Sequence, residues 1–150
     1  MLALRLVLDT NVVVSAALRP DGLQRTVFAL ALTRPARLYV TEAILSEYRE
    51  VLARPRLKIR RGLRNQVTQL IQGRAHIIAP ERVPIVTADP EDNIFIECAA
   101  AARADYLVTG NTRDFPRYWR QTKIITPREF VTLAAPHMAG IGWMNEEDEL

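Results

Sequence analysis

Five short apolar runs punctuate the chain, at residues 4–8, 37–40, 76–79, 105–108 and 123–126. Each is brief, apolar and stopped by polar or turn-forming residues, the pattern of a buried strand. Helical segments fall between most of them. Residues 11–18 and 23–33 are split by the turn RPDG. Thr41 is placed to cap a helix that ends near Ala53, ahead of Pro55, and a polar, weakly amphipathic helix covers 62–73. Asp89 and Pro90 open a helix through EDNIFIECAAAARA, and Thr126-Pro127-x-Glu129 is a capping box for a helix that ends near Pro136. Strands that alternate with helices predict an α/β domain, helices on both faces of a mainly parallel sheet of four to five strands. At 150 residues one domain is expected, residues 1–136, with 137–150 as a C-terminal acidic tail.

Open parallel sheets bind ligands at the carboxyl ends of their strands, where the strand order switches. Asp9 follows the first strand there, and Thr109-Gly110-Asn111 closes the fourth, the expected neighbour of the first. Asp92 lies in the first turn of the helix feeding the fourth strand, and Asp114 follows that strand. Glu47 sits at the border of the apolar stripe formed by Ile44, Leu45, Tyr48, Val51 and Leu52. Arg49 lies at the other border, so helical geometry permits Glu47 without singling it out.

Each carboxylate alone has a structural explanation. Asp9 or Thr10 could cap the next helix, Asp89 caps its own, Asp92 suits a helix dipole, and Asp114 could cap a turn. Clustered carboxylates repel, however, and are costly unless a cation compensates. Mg²⁺ or Mn²⁺ prefers such oxygen ligands, lowers the pKa of a bound water, and clamps the oxygens of a phosphodiester. Thr10 and Asn11 are placed to orient Asp9, and Thr109 and Asn111 to do the same for the residues facing it.

Other chemistries find little support. Cys98 is the single cysteine and sits in an apolar helix, which rules out an internal disulfide and a cysteine-based zinc site and fits a cytoplasmic setting. The apolar stretch before Asp9 is too short for a secretory leader, and no run approaches the roughly 20 residues of a membrane helix. No glycine-rich nucleotide motif occurs. His76 begins an expected buried strand, which leaves it little catalytic scope. Residues 54–64 hold six basic residues (Arg54, Arg56, Lys58, Arg60, Arg61 and Arg64) and no acidic one, a patch that attracts phosphate polymers or an acidic partner. Tyr118 and Trp119, among Arg113, Arg117 and Arg120, could stack on bases or pack on the sheet. Trp143 and Met144 hint at a contact surface in the tail.

Four motifs, LVLDTNVVVSA, TEAILSEYREVL, DPEDNIFIECA and DYLVTGNTRDF, stand in an order that resembles the PIN domain family, and within it the VapC-like toxins of toxin–antitoxin systems. The resemblance spans about residues 4–134. It implies a three-layer α/β/α fold and metal-dependent RNA cleavage, with Asp9, Glu47, Asp92 and Asp114 as the acidic set. Asp9 and Asp114 would be the primary ligands of one or two ions, Asp92 a further one, and Glu47 would complete the site or position water. The basic segment, with Arg113, would hold RNA. A cognate antitoxin and a homodimer are implied by the same likeness. Two features depart from the family pattern. Many relatives carry an aspartate where this chain has Asn111, and DPEDN offers both Asp89 and Asp92. The alternatives are a binding module with a degraded site, or an RNA-processing or flap nuclease that is not a toxin.

Overall fold

The computed structural model of the chain describes residues 4–138. The centre of its sheet is β1 (Arg5–Leu8) beside β4 (Tyr106–Val108). Next to β1 lie β2 (Arg37–Val40) and then the edge strand β3 (His76–Ile77); next to β4 lie β6 (Thr122–Ile125) and the edge strand β5 (Tyr118–Trp119). Every pairing is parallel except that of β5 with β6.

Two helices, α1 (Thr10–Leu18) and α2 (Leu23–Ala31), link β1 to β2, and α3 (Glu42–Leu52) and α4 (Arg61–Arg74) link β2 to β3. The chain then steps back across the sheet through α5 (Asn93–Ala102) to β4, and α6 (Pro127–Met138) follows β6. Crossovers between parallel strands are right-handed, so a reversal of direction moves the connecting helix to the other face. Accordingly α5 lies against β1, β2 and β4, while α1 packs on α2 and α3, and α2 on α6. The result is the three-layer α/β/α arrangement. Leu6, Val7 and Leu8 are all fully buried, because a central parallel strand is covered on both faces.

The switch in strand order falls between β1 and β4, with Leu8 opposite Val108. The ladder continues one residue past each strand. The Asp9 amide donates to the Val108 carbonyl at 2.9 Å, and the Thr109 amide to the Ile125 carbonyl at 2.9 Å. Both residues therefore leave the sheet side by side at its carboxyl edge.

Local chemistry fixes the helix starts. Thr41 caps α3, its hydroxyl accepting the Ile44 amide at 3.2 Å. At α6 the Thr126 amide donates to Glu129 Oε1 and the Glu129 amide to Thr126 Oγ1, both at 3.1 Å, a reciprocal capping box. Asp89 accepts the Glu91 amide at 3.0 Å, and its turn Pro90–Asp92 is a 3-10 turn that runs into α5.

Three expectations need correction. The sheet has six strands, because Tyr118–Trp119 forms a two-residue antiparallel partner for β6 where the sequence assigns no strand. Residues 76–79 are not a buried strand. His76 and Ile77 are exposed on an edge with one neighbour, and the His76 ring stacks on Tyr39. The last helix continues through Pro136 to Met138. The acidic tail from residue 139 on, with Trp143 and Met144, lies outside the described residues. Among the described residues no helix is long and apolar enough to cross a membrane.

Candidate active site

Asp9 ends β1 and is the N-cap of α1, with Oδ1 accepting the Thr10 amide at 2.7 Å. Its Oδ2 accepts the Thr109 hydroxyl at 2.7 Å and the Asn11 amide group at 3.1 Å. Asn11 in turn accepts the Gly110 amide at 3.1 Å, and the Thr109 hydroxyl accepts the Asn111 amide at 3.0 Å. These bonds stitch the end of β1 to the end of β4. Asp9 is only 7% exposed. Burial raises its carboxyl pKa against the pull of those donors, and the charges of Glu47 and Asp114 raise it further.

Thr10 divides its groups between two carboxylates. Its amide serves Asp9, whereas its hydroxyl, expected to orient Asp9, donates to Glu47 Oε2. That bond distinguishes Glu47 from Arg49 and Glu50, which are exposed; Glu50 faces Arg54 at 3.7 Å. The next residue, Tyr48, reads in the sequence only as part of the apolar stripe. Its hydroxyl is buried and donates to the Leu8 carbonyl, the last acceptor of β1 before the site. Burial, then Cys98, Asp9 and Glu47, hold that hydroxyl well above the usual phenol range.

Asp92 and Asp114 are brought in by two loops that are tied together. The Ala88 amide donates to the Asp114 carbonyl at 2.9 Å. Buried Asn93, which the motif reading does not single out, accepts the Val86 amide at 3.1 Å and donates to the Pro84 carbonyl at 3.3 Å. An asparagine in the first turn of an apolar helix is the signal that could have found it. The Asp92 carboxyl is pushed up to about 6, by burial first and then by Asp9, Asp89, Glu47 and Asp114. Asn111 takes part through its backbone, its carbonyl accepting the Asp114 amide at 3.0 Å.

Asp9, Glu47, Asp92 and Asp114 thus share one electrostatic field. Among the described residues no three acidic, histidine or cysteine side chains stand close enough to cage one ion together. Mutual repulsion favours rotamers that separate the charges, and coulombic influence reaches further than a ligand bond. Mg²⁺ does not require a side-chain cage; one or two carboxylates, waters and substrate phosphate suffice. An all-oxygen donor set in which burial and neighbouring charges raise the Asp9 and Asp92 carboxyls fits a hard divalent cation.

The basic residues run from the end of α3 into the first turn of α4. Arg54, Arg56, Lys58, Arg60 and Arg61 are exposed, and Arg64 is half-buried with its Nε unpartnered. Arg113 is exposed in the turn that carries Asp114. Trp119 is half-buried under the Arg120 guanidinium, 5.6 Å from the ring centre, and Arg120 pairs with Glu81 at 2.7 Å. Tyr118 is left exposed. Cys98 is fully buried and its thiol is pushed up to about 12, which makes it a packing residue.

The PIN domain family profile matches residues 5–113, a span that includes Asp9, Glu47 and Asp92 and stops one residue before Asp114. The chain belongs to the PIN domain family. PIN domains are generally nucleases and typically use divalent metal ions. A relative in Methanocaldococcus jannaschii, an uncharacterized protein, is 28% identical over 140 residues, covering 85% of this chain and 90% of its own. Among solved structures, VapBC2 of Rickettsia felis, bound to a DNA fragment from its promoter, superimposes with a TM-score of 0.56. The identity is 15%, over 82% of this chain and 98% of the other. At that identity the likeness speaks to the fold.

Proposed function

We propose that this PIN domain is a Mg²⁺- or Mn²⁺-dependent endoribonuclease, with one or two ions held at Asp9, Asp92 and Asp114. The observation that carries the reading is the buried Asp9 carboxylate at the strand-order switch, joined through Thr10 to Glu47, with the Asp92 carboxyl pushed up by burial and by the charges of Asp9, Asp89, Glu47 and Asp114. Four carboxylates gathered at a strand-order switch, two of them held by Thr10, Asn11 and Thr109, destabilise the fold and find their use in binding a cation. When bound, the cation supplies charge neutralisation at the phosphate and a more acidic water.

The chain's own groups do the rest. Thr109 and Asn11 fix Asp9 Oδ2, and the Thr10 amide fixes Oδ1, at the carboxyl edge of the sheet. Thr10 fixes Glu47, which positions the attacking water and takes up its proton. A P–O bond forms to that water as the P–O bond to the leaving ribose oxygen breaks in line, and that oxygen takes up a proton from solvent water. Exposed Arg54, Arg56, Lys58, Arg60, Arg61 and Arg113, with half-buried Arg64, hold the RNA backbone.

The toxin role is a further step. It rests on the four motifs and on the fold shared with a VapBC2 complex. By this reading the chain is cytoplasmic, forms a homodimer and is inhibited by a cognate antitoxin. Co-purification with the product of a small adjacent gene, and relief of growth arrest by that product, would test it. The nuclease itself is tested with Asp9→Asn and wild type on structured RNA, with Mg²⁺ and with EDTA. Wild type with Mg²⁺ should cleave, and either the Asp9→Asn change or chelation should reduce the rate by at least about 100-fold. Equal cleavage in every arm would end the carboxylate–metal reading.

A further inference from the structure

The opposite edge of the molecule carries a second basic feature. A cleft of about 880 Å³ lies between the loop that follows α2 and the end of α4. Arg34, Arg37, Arg74 and His76 line it, with Thr33 and Gly73, and none of its lining residues is acidic. The three arginines are exposed, and among the described residues none of them is paired with a carboxylate. Arg74 ends α4, where the helix dipole favours a cation. The His76 ring stacks on Tyr39, with ring centres 5.1 Å apart and planes inclined by 28°. Tyr39 is buried and His76 exposed, so one face of the imidazole is open. Arg37 pairs with Arg5, four residues before Asp9, so roughly 13 Å of strand separates the two levels.

We infer that this cleft is a second RNA-binding site, taking a single-stranded segment of the substrate away from the cleavage site. The inference rests on the ribonuclease reading for the identity of its ligand. Guanidinium forks match phosphate oxygens, and an open ring face stacks a base. An acidic peptide would satisfy the arginines and leave the ring without a use, which favours RNA.

Gly73 offers a test that leaves the fold alone. A Cβ there meets nothing within 4 Å, so Gly73→Glu puts a negative charge in the cleft without removing a contact, and Gly73→Ala is its control. Binding of a labelled oligouridylate is followed by fluorescence anisotropy in EDTA, so that cleavage does not enter. Gly73→Glu should weaken binding about tenfold, while replacing Arg34, Arg37 and Arg74 together by alanine should flatten the log Kd–log salt slope by about 2. His76→Ala should weaken binding with the slope unchanged. In Mg²⁺ the same variants should raise KM for a long RNA and leave cleavage of a dinucleotide as it was.

Wild-type affinity and slope in both Gly73→Glu and the triple variant would overturn the inference. So would a wild-type chain that binds no RNA, or variants that lose only polyglutamate binding. The two readings fail separately. Binding lost in the variants of a chain that never cleaves removes the nuclease and keeps the cleft; normal cleavage with unchanged binding does the reverse.

Discussion

Asp92→Asn should make the metal-free protein more stable at neutral pH, although it replaces a residue at the mouth of the site. The Asp92 carboxyl holds its proton up to about pH 6 in the folded chain, against 3.8 for the ordinary side chain. Between those values the folded state binds more protons than the unfolded one, so stability falls as pH rises through the window. Unscreened, that difference corresponds to roughly 3 kcal/mol. Asp92 is half-buried at the mouth of the site, so solvent screens much of it, and the positive end of α5 returns a little more. About 1 kcal/mol should remain. The side chain makes no capping hydrogen bond that asparagine would lose. Urea titrations in EDTA at pH 4 and pH 7.5 read the effect. Asparagine and wild type should match at pH 4, and asparagine should gain about 1 kcal/mol at pH 7.5. Adding Mn²⁺ at pH 7.5 should reverse the order, since the ion stabilises the intact carboxylate set more. An Asp92→Asn variant that is no more stable than wild type at pH 7.5 in EDTA would refute the shared electrostatic field.

Other consequences are as concrete. Thr109→Val keeps the shape of a fully buried side chain but removes the donor to Asp9, and should cost about 1–3 kcal/mol in thermal unfolding with a loss of cleavage. Phe95→Ala, in the fully buried core of α5, should cost about 3–5 kcal/mol by chemical denaturation. Thr126→Ala removes one half of the α6 capping box and should cost about 1 kcal/mol. Cys98 should resist a thiol reagent at pH 8 until the chain unfolds, because its thiol is buried and pushed up to about 12.

The central strands were legible because a strand covered on both faces must be apolar throughout, as Leu6, Val7 and Leu8 are, and the switch-point rule places the first beside the fourth; the rest of the order was not. Caps were legible for a local reason: Thr41, Asp89 and Thr126 act on amides two or three residues away. The two edge strands were not. His76–Ile77 looks buried by composition but pairs on one side, and Tyr118–Trp119 depends on a hairpin with β6 that no short pattern encodes. At the site, the sequence places Asp9 beside Thr109 once the strand order is known. It does not reveal that Thr10 turns its hydroxyl to Glu47, or that Tyr48 reaches the Leu8 carbonyl, because both bonds join segments some forty residues apart. The Ala88–Asp114 bond escapes in the same way, and Asn93 acts on a loop whose path no periodicity describes.

The amide of Asp9 is a rung of the sheet as well as the entrance to the site. Its exchange with solvent deuterium should track global unfolding, whereas amides of residues 84–92 should exchange through local opening. Local opening of the loop at residues 84–92 therefore carries Asp92 away from the site while Asp9 stays in the ladder. The site thus joins a fixed anchor to a movable ligand, and its geometry is set by the loop rather than by the sheet.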